Sequence, residues 1–199
     1  AISYELIFEA VRIAKLTGFP ALGLFAGAFT FFFSDRWIGQ LAGADPVDLD
    51  ASSQSRLVIP MVLAIILDGV PESIVIGVSL LGGNGVSAAI VVAVFLSNIP
   101  EALSAAVGLS KAGRSNRWIL TLWSGVALTA GLGAMLGYGL LGDASANTLG
   151  LIQAFAAGAI LTMLADTMIP EAYDDGGPEV GVITTFGFAL AYLLSHVGG

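Results

Sequence analysis

Six apolar stretches of about 20 residues each leave this chain few ways to fold. They run near 16–34, 58–81, 85–109, 118–141, 149–172 and 180–197. At 1.5 Å per residue, a helix of that length reaches across the ~30 Å hydrocarbon core of a bilayer. Composition agrees: 56% of the 199 residues are apolar and 11% are charged, with a mean hydropathy of +0.90. A soluble domain carries roughly 25% charged residues. A water-soluble enzyme, a disordered chain and a fibrous chain are thereby excluded. The expected fold is all-α, a polytopic transmembrane helical bundle forming a single domain over residues 1–199.

The polar segments between the stretches set the orientation. A polar linker covers 35–56, small-residue turns cover 82–85 and 142–147, and a basic loop (111–117) and an acidic one (174–179) complete the set. Arg36, Arg56, Lys111, Arg114 and Arg117 fall on one side of the membrane, and Arg12 and Lys15 on the other. Short cytoplasmic loops collect Lys and Arg. The linker and the basic loop are therefore expected in the cytoplasm and the C-terminus outside, in a bacterial inner (plasma) membrane. Trp118 and Trp123 follow the basic loop and suit an interfacial anchor. Seven scattered cations make no stripe for nucleic acid. The chain has no cysteine, and its one histidine, His196, is three residues from the C-terminus. Disulfides, sulfur metal cages and histidine-based catalysis within the membrane are excluded with them.

Two segments repeat near one offset. YELIFEA (4–10) aligns with DTMIPEA (166–172) at 162, and GLFAGAFTFFFSD (23–35) with TTFGFALAYLLSH (184–196) at 161. Such internal symmetry is common in transporters. The second copy includes two helices, near 118–141 and 149–172, whose counterparts would precede residue 1. Residues 1–15 then read as the tail of a helix, and eight spans are expected, the first one to two lying upstream. The alternative for 2–15 is an amphipathic surface helix. A shorter repeat, LDGVPES (67–73) and LSNIPEA (96–102), shares Leu, Pro and Glu at an offset of 29.

That shorter repeat carries the polar residues that matter. Asp68, Glu72 and Glu101 fall near mid-span, and Asp166 and Glu171 toward the inner end of theirs. A charge at membrane depth costs at least about 2.5–3.5 kcal/mol on insertion scales. No Lys or Arg lies within the six stretches, so these acids are protonated, hydrated or neutralised by a bound cation. Asp68 and Glu72 are four apart and share a helix face, as do Ser97 and Glu101, with Asn98 three before Glu101. Pro71 and Pro100 sit inside these pairs, and each removes one helical hydrogen bond, freeing the carbonyls of Leu67 and Leu96. Freed carbonyls beside acids at the midplane suit an ion pathway. Gly23-xxx-Gly27 and Gly133-xxx-Gly137 fit close helix packing. Phe29, Phe31, Phe32 and Phe33 face lipid or pack, and Asp45, Asp48 and Asp50 make a solvated acidic linker.

The two Pro-Glu helices resemble those of the Zrt/Irt-like (ZIP) family of divalent metal transporters. In that family the fourth and fifth of eight helices carry His-Asn-x-Pro-Glu-type motifs that form a metal site. The resemblance extends over essentially the whole chain and implies a three-two-three inverted repeat. It assigns Glu72 and Glu101 to the two bridging carboxylates. Asp68 stands where histidine is usual, Gly69 where asparagine is usual, and Ser97 and Asn98 at ligand positions. Ser124-Gly-Val-Ala-Leu128 replaces an SGLAE-like run, so Leu128 cannot coordinate, while Asp166 resembles an acid lining the pathway. One principal metal is implied rather than a symmetric pair. An oxygen-only donor set favours Mn²⁺ or Mg²⁺, against a family preference for zinc and iron.

The reading is a secondary transporter of divalent cations working by alternating access, not an enzyme. Its partners are the lipid bilayer and the cation, with a homodimer or larger membrane complex as the expected assembly. The competing reading is a non-transporting ZIP-like structural or regulatory subunit, which Gly69 and Leu128 favour. An intramembrane aspartyl hydrolase is disfavoured, because Gly142-Asp143 lies in a loop.

Overall fold

A computed structural model of the protein describes residues 2–14, 18–42, 58–82 and 88–197. The described residues form helices and short turns. α1 is Ile2–Ile13, α2 Gly18–Ala42, and α3 Val58–Ser79, which closes in a 3₁₀ turn at Leu80–Gly82. α4 is Ala88–Lys111, α5 Asn116–Leu141 and α6 Ala146–Met163. A π-helical turn, Leu164–Met168, joins α6 to α7 (Ile169–Gly176), and α8 is Val180–Val197 after a 3₁₀ turn at Gly177–Glu179. Each of the six apolar stretches coincides with α2, α3, α4, α5, α6–α7 or α8. By length and composition, three segments among the described residues suit a membrane crossing: Gly18–Gln40, Asn116–Leu141 and Ala146–Asp174. The acidic linker lies outside the described residues.

Local chemistry marks the helix ends. Ser115 accepts a hydrogen bond from Trp118 N (3.3 Å) and Ser145 from Thr148 N (3.2 Å), each supplying an acceptor to an orphan N–H of the first turn. At the end of α4, Gly113 adopts φ +79°. Its N–H donates to Ser110 O and that of Arg114 to Leu109 O, both at 3.0 Å. This paired arrangement satisfies the last carbonyls and needs a residue that tolerates the left-handed region.

Small residues hold the bundle together. α6 is the most buried helix, with Gly150, Gln153, Ala154, Ala156 through Ile160 and Met163 enclosed. Its main neighbours are α2 and α1, while α3 packs chiefly on α5. Gly23 and Gly27 let α2 lie against the carbonyls of Leu151 and Phe155, and Gly158 of α6 lies against Leu24 O. A Cβ at any of these would overlap backbone. On the other seam Gly77 meets Ala134 O, and a Cβ at Gly137 would sit 2.7 Å from Ile74 O. Gly133 is looser, its Cβ position 3.4 Å from Ser73 Cβ. Gly23, Gly27 and Gly137 thus sit at close helix contacts, as expected, Gly133 does not, and Gly77 and Gly158 add close contacts from the facing helices.

Leu6, Val75, Ala156, Ala157 and Ile160 form the main core cluster, which joins α1, α3 and α6. Ala10 is fully buried, and Ser3 Oγ donates to Ala157 O at 2.9 Å. The outer side of α1 presents Tyr4 and Phe8, stacked at 6.2 Å. Of the phenylalanine run, Phe31 is buried and Phe29 and Phe33 are exposed. Both aspects of that run, packed and outward, are therefore present.

Candidate metal site

Where α3 and α4 meet, Asn98 Nδ2 donates to Glu72 Oε2 at 3.0 Å. The same nitrogen donates to Val94 O, one turn back on its own helix, at 2.8 Å. Both amide hydrogens are thus used, and Oδ1 remains as an acceptor or a ligand. Glu72 is only 5% exposed, in a chain whose cations all lie outside the apolar stretches. A buried carboxylate needs hydrogen bonds or a counter-charge, and Asn98 provides a hydrogen bond.

Helix geometry explains the meeting. Both helices run on through their prolines, Pro71 and Pro100. Ser73, two residues beyond Pro71, turns its hydroxyl back to Gly69 O at 2.6 Å. That bond supplies a second donor to a carbonyl in the turn that Pro71 interrupts. Glu101 is half-buried one turn along α4 from Asn98 and is itself engaged in an interaction. Among the described residues nothing lies within 4 Å of where a Cβ at Gly69 would stand, the position where asparagine is usual in the resemblance.

The remaining expected ligands are distributed differently. The side chains of Asp68 and Ser97 lie outside the described residues. Asp166 is exposed in the π turn, and Glu171 is exposed on α7. Leu128 is 66% exposed and offers no donor atom. Among the described residues no three His, Cys, Asp or Glu side chains gather closely enough to hold a metal ion. The donors that the structure brings together are Glu72 and Asn98, all-oxygen and amide chemistry suited to hard cations.

Sequence reading missed the π turn. Ile169 N donates to Leu164 O, five residues back. Pro170 was the available signal: it has no N–H to give Asp166 O, and a wide turn re-pairs the neighbouring backbone.

A family model described as ZIP Zinc transporter matches residues 43–195, about three quarters of the chain. The chain belongs to the ZIP zinc transporter family. A candidate zinc transporter of Arabidopsis thaliana is 27% identical to this ZIP chain over 200 residues, covering 98% of it. The chain spans about a third (32%) of that relative's length. No solved structure matches. The matched segment contains α3 and α4 whole, so both Pro-Glu helices fall inside the family's region.

Proposed function

We propose that this ZIP-family chain carries divalent metal cations across a membrane, holding them between α3 and α4. The observation that carries the reading is the Asn98–Glu72 hydrogen bond, which joins the two Pro-Glu helices at a buried carboxylate. Glu72 and Glu101 would be the charged ligands, with Asp68, Ser97 and Asn98 completing an oxygen-rich shell. Asp166 would serve the pathway away from the central site. Six spans in this chain, arranged as part of an inverted repeat with the C-terminus outward, would put the site near mid-membrane.

The way the helices pack supports a reading of alternating access. α2 and α6 are bound by backbone contacts at Gly23, Gly27 and Gly158, α1 meets α6 at Gly150, and α3 and α5 are bound by those at Gly77 and Gly137. Glycine seams of this kind resist internal change, so motion would fall between the groups, across the side-chain contacts of Val75 with Leu6, Ala156 and Ile160. A site on α3 and α4 would then be exposed to each side in turn.

Uptake of Mn²⁺, Zn²⁺, Fe²⁺ and Mg²⁺ into proteoliposomes tests the proposal. Uptake of at least one, lost in Glu72→Gln, is expected. If none moves while a control transporter works in the same vesicles, the carrier reading is wrong. Selectivity is tested by Asp68→His: imidazole suits zinc, whereas carboxylate suits harder cations. Zinc affinity should rise relative to Mn²⁺ in that variant, and equal changes for both metals would remove Asp68 as the selectivity determinant.

A further inference from the structure

The outer face of α5 forms a groove against α3, close to the basic turn. Its volume is about 300 Å³, and it is lined by Ile66 of α3 and by Trp118, Leu122, Gly125, Val126 and Thr129 of α5. From residue 118 to 129 the helix rises about 16 Å. That matches the depth of one leaflet, half of the ~30 Å hydrocarbon core. The groove is apolar despite its threonines. Thr121 and Thr129 turn their hydroxyls inward to Arg117 O and Gly125 O, both at 2.9 Å. Among the described residues nothing lies within 4 Å of where a Cβ at Gly125 would stand.

At the Trp118 end the chain presents Lys111, Arg114 and Arg117, and no acidic residue occurs between Glu101 and Asp143. Three positive charges therefore gather in a stretch of sequence that holds no acid. The turn that carries them is built rather than loose. Gly113 and Arg114 close it onto Ser110 and Leu109, Leu109 is fully buried, and Ser115 caps α5. The Arg114 guanidinium lies 5.0 Å from the Trp118 ring centroid, and its Nε is buried with no hydrogen-bond partner among the described residues. Guanidinium forks and the first N–H groups of a helix both favour phosphate.

We propose that this groove and turn bind one acidic phospholipid, its acyl chain along α5 beside Ile66 and its phosphate at Arg114. The commitment to a lipid rests on the two features together. A free phosphate would use the turn and leave the groove unfilled, while a neutral lipid would use the groove and ignore the charges. Ordering of the turn lowers the entropy lost on binding.

The test uses the full chain reconstituted in vesicles of phosphatidylcholine mixed with phosphatidylglycerol, then extracted in mild detergent, with the lipid that copurifies identified by mass spectrometry. Expected is phosphatidylglycerol enriched over its share of the vesicle by about tenfold, the scale of one charge-assisted hydrogen bond. Arg114→Gln should abolish the enrichment, and so should Gly125→Phe, which fills the groove. Helical circular dichroism confirms that both variants fold. Retention of the two lipids in vesicle proportion overturns the proposal, as does enrichment that survives Arg114→Gln. Enrichment that survives Gly125→Phe, or is abolished by inorganic phosphate alone, would show an anion site without a bound acyl chain and overturns it too.

Discussion

Along α2 and α6, glycines at 23, 27 and 158 let backbone meet backbone, whereas α3 and α4 are linked through the side chains of Glu72 and Asn98. The first seam gains stability from what is absent: without Cβ atoms the helices approach closely, and dispersion attraction accumulates. The second seam holds polar groups that must be satisfied, and its partners can be exchanged for others of like chemistry. In the proposed carrier a cation would compete for Glu72. Nothing can enter between Gly27 and Phe155. The contrast puts close backbone packing and polar side-chain pairing in different parts of one small bundle.

The sharpest break in that contrast is Gly27→Leu. A side chain there must displace the Phe155 backbone, with no flexible atom to yield. Overpacking commonly costs about 1–3 kcal/mol and here should exceed it. Loss of folded protein on size exclusion in detergent is expected, and a monodisperse, normally melting variant would disprove the close seam.

Glu72→Gln should act oppositely, preserving the fold and removing the charge. Metal uptake is expected to fall by about two orders of magnitude, the scale of depriving a buried cation of one charged partner, with little change in thermal melting. Unaltered uptake would exclude Glu72 as a ligand.

Asn98→Ala removes the donor that meets Glu72. A hydrogen bond to a charged group is worth roughly 1.5–3 kcal/mol. Melting should drop accordingly, and metal affinity should weaken by about tenfold if Asn98 also ligates. A variant with lowered melting but native affinity would make the residue structural alone.

The smallest effect separates two glycines on one helix. Gly69→Ala meets nothing within 4 Å among the described residues and should be neutral or stabilising by up to about 1 kcal/mol through helix propensity. Gly77→Ala strikes Ala134 O and should destabilise. Equal melting temperatures for the two would contradict the α3–α5 seam.

Much of this was legible in the residues themselves. Long apolar runs place helices because hydropathy needs no partner to be read, and GxxxG spacing marks close packing because it puts both glycines on one face. The meeting of Glu72 and Asn98 was legible as spacing around a repeated proline. Their hydrogen bond was not, because it depends on how α3 and α4 are rotated against each other. The facing side of the α2–α6 seam was equally hidden: Gly158 stands alone in its sequence, and only packing shows that it opposes Leu24. The π turn depended on how the backbone re-pairs around Pro170. A proline announces a disturbance without saying which turn absorbs it.

In a carrier of the proposed kind, a carboxylate that has just released its cargo stands charged in a dry interior during the return stroke. Asn98 changes that journey. An amide can offer its N–H to a bare carboxylate and then turn its oxygen toward an arriving ion, so one side chain serves both legs of the cycle. Its amide nitrogen donates here to both Glu72 and Val94. An aspartate at the same position could coordinate as well, but it would add a second negative charge to every empty crossing.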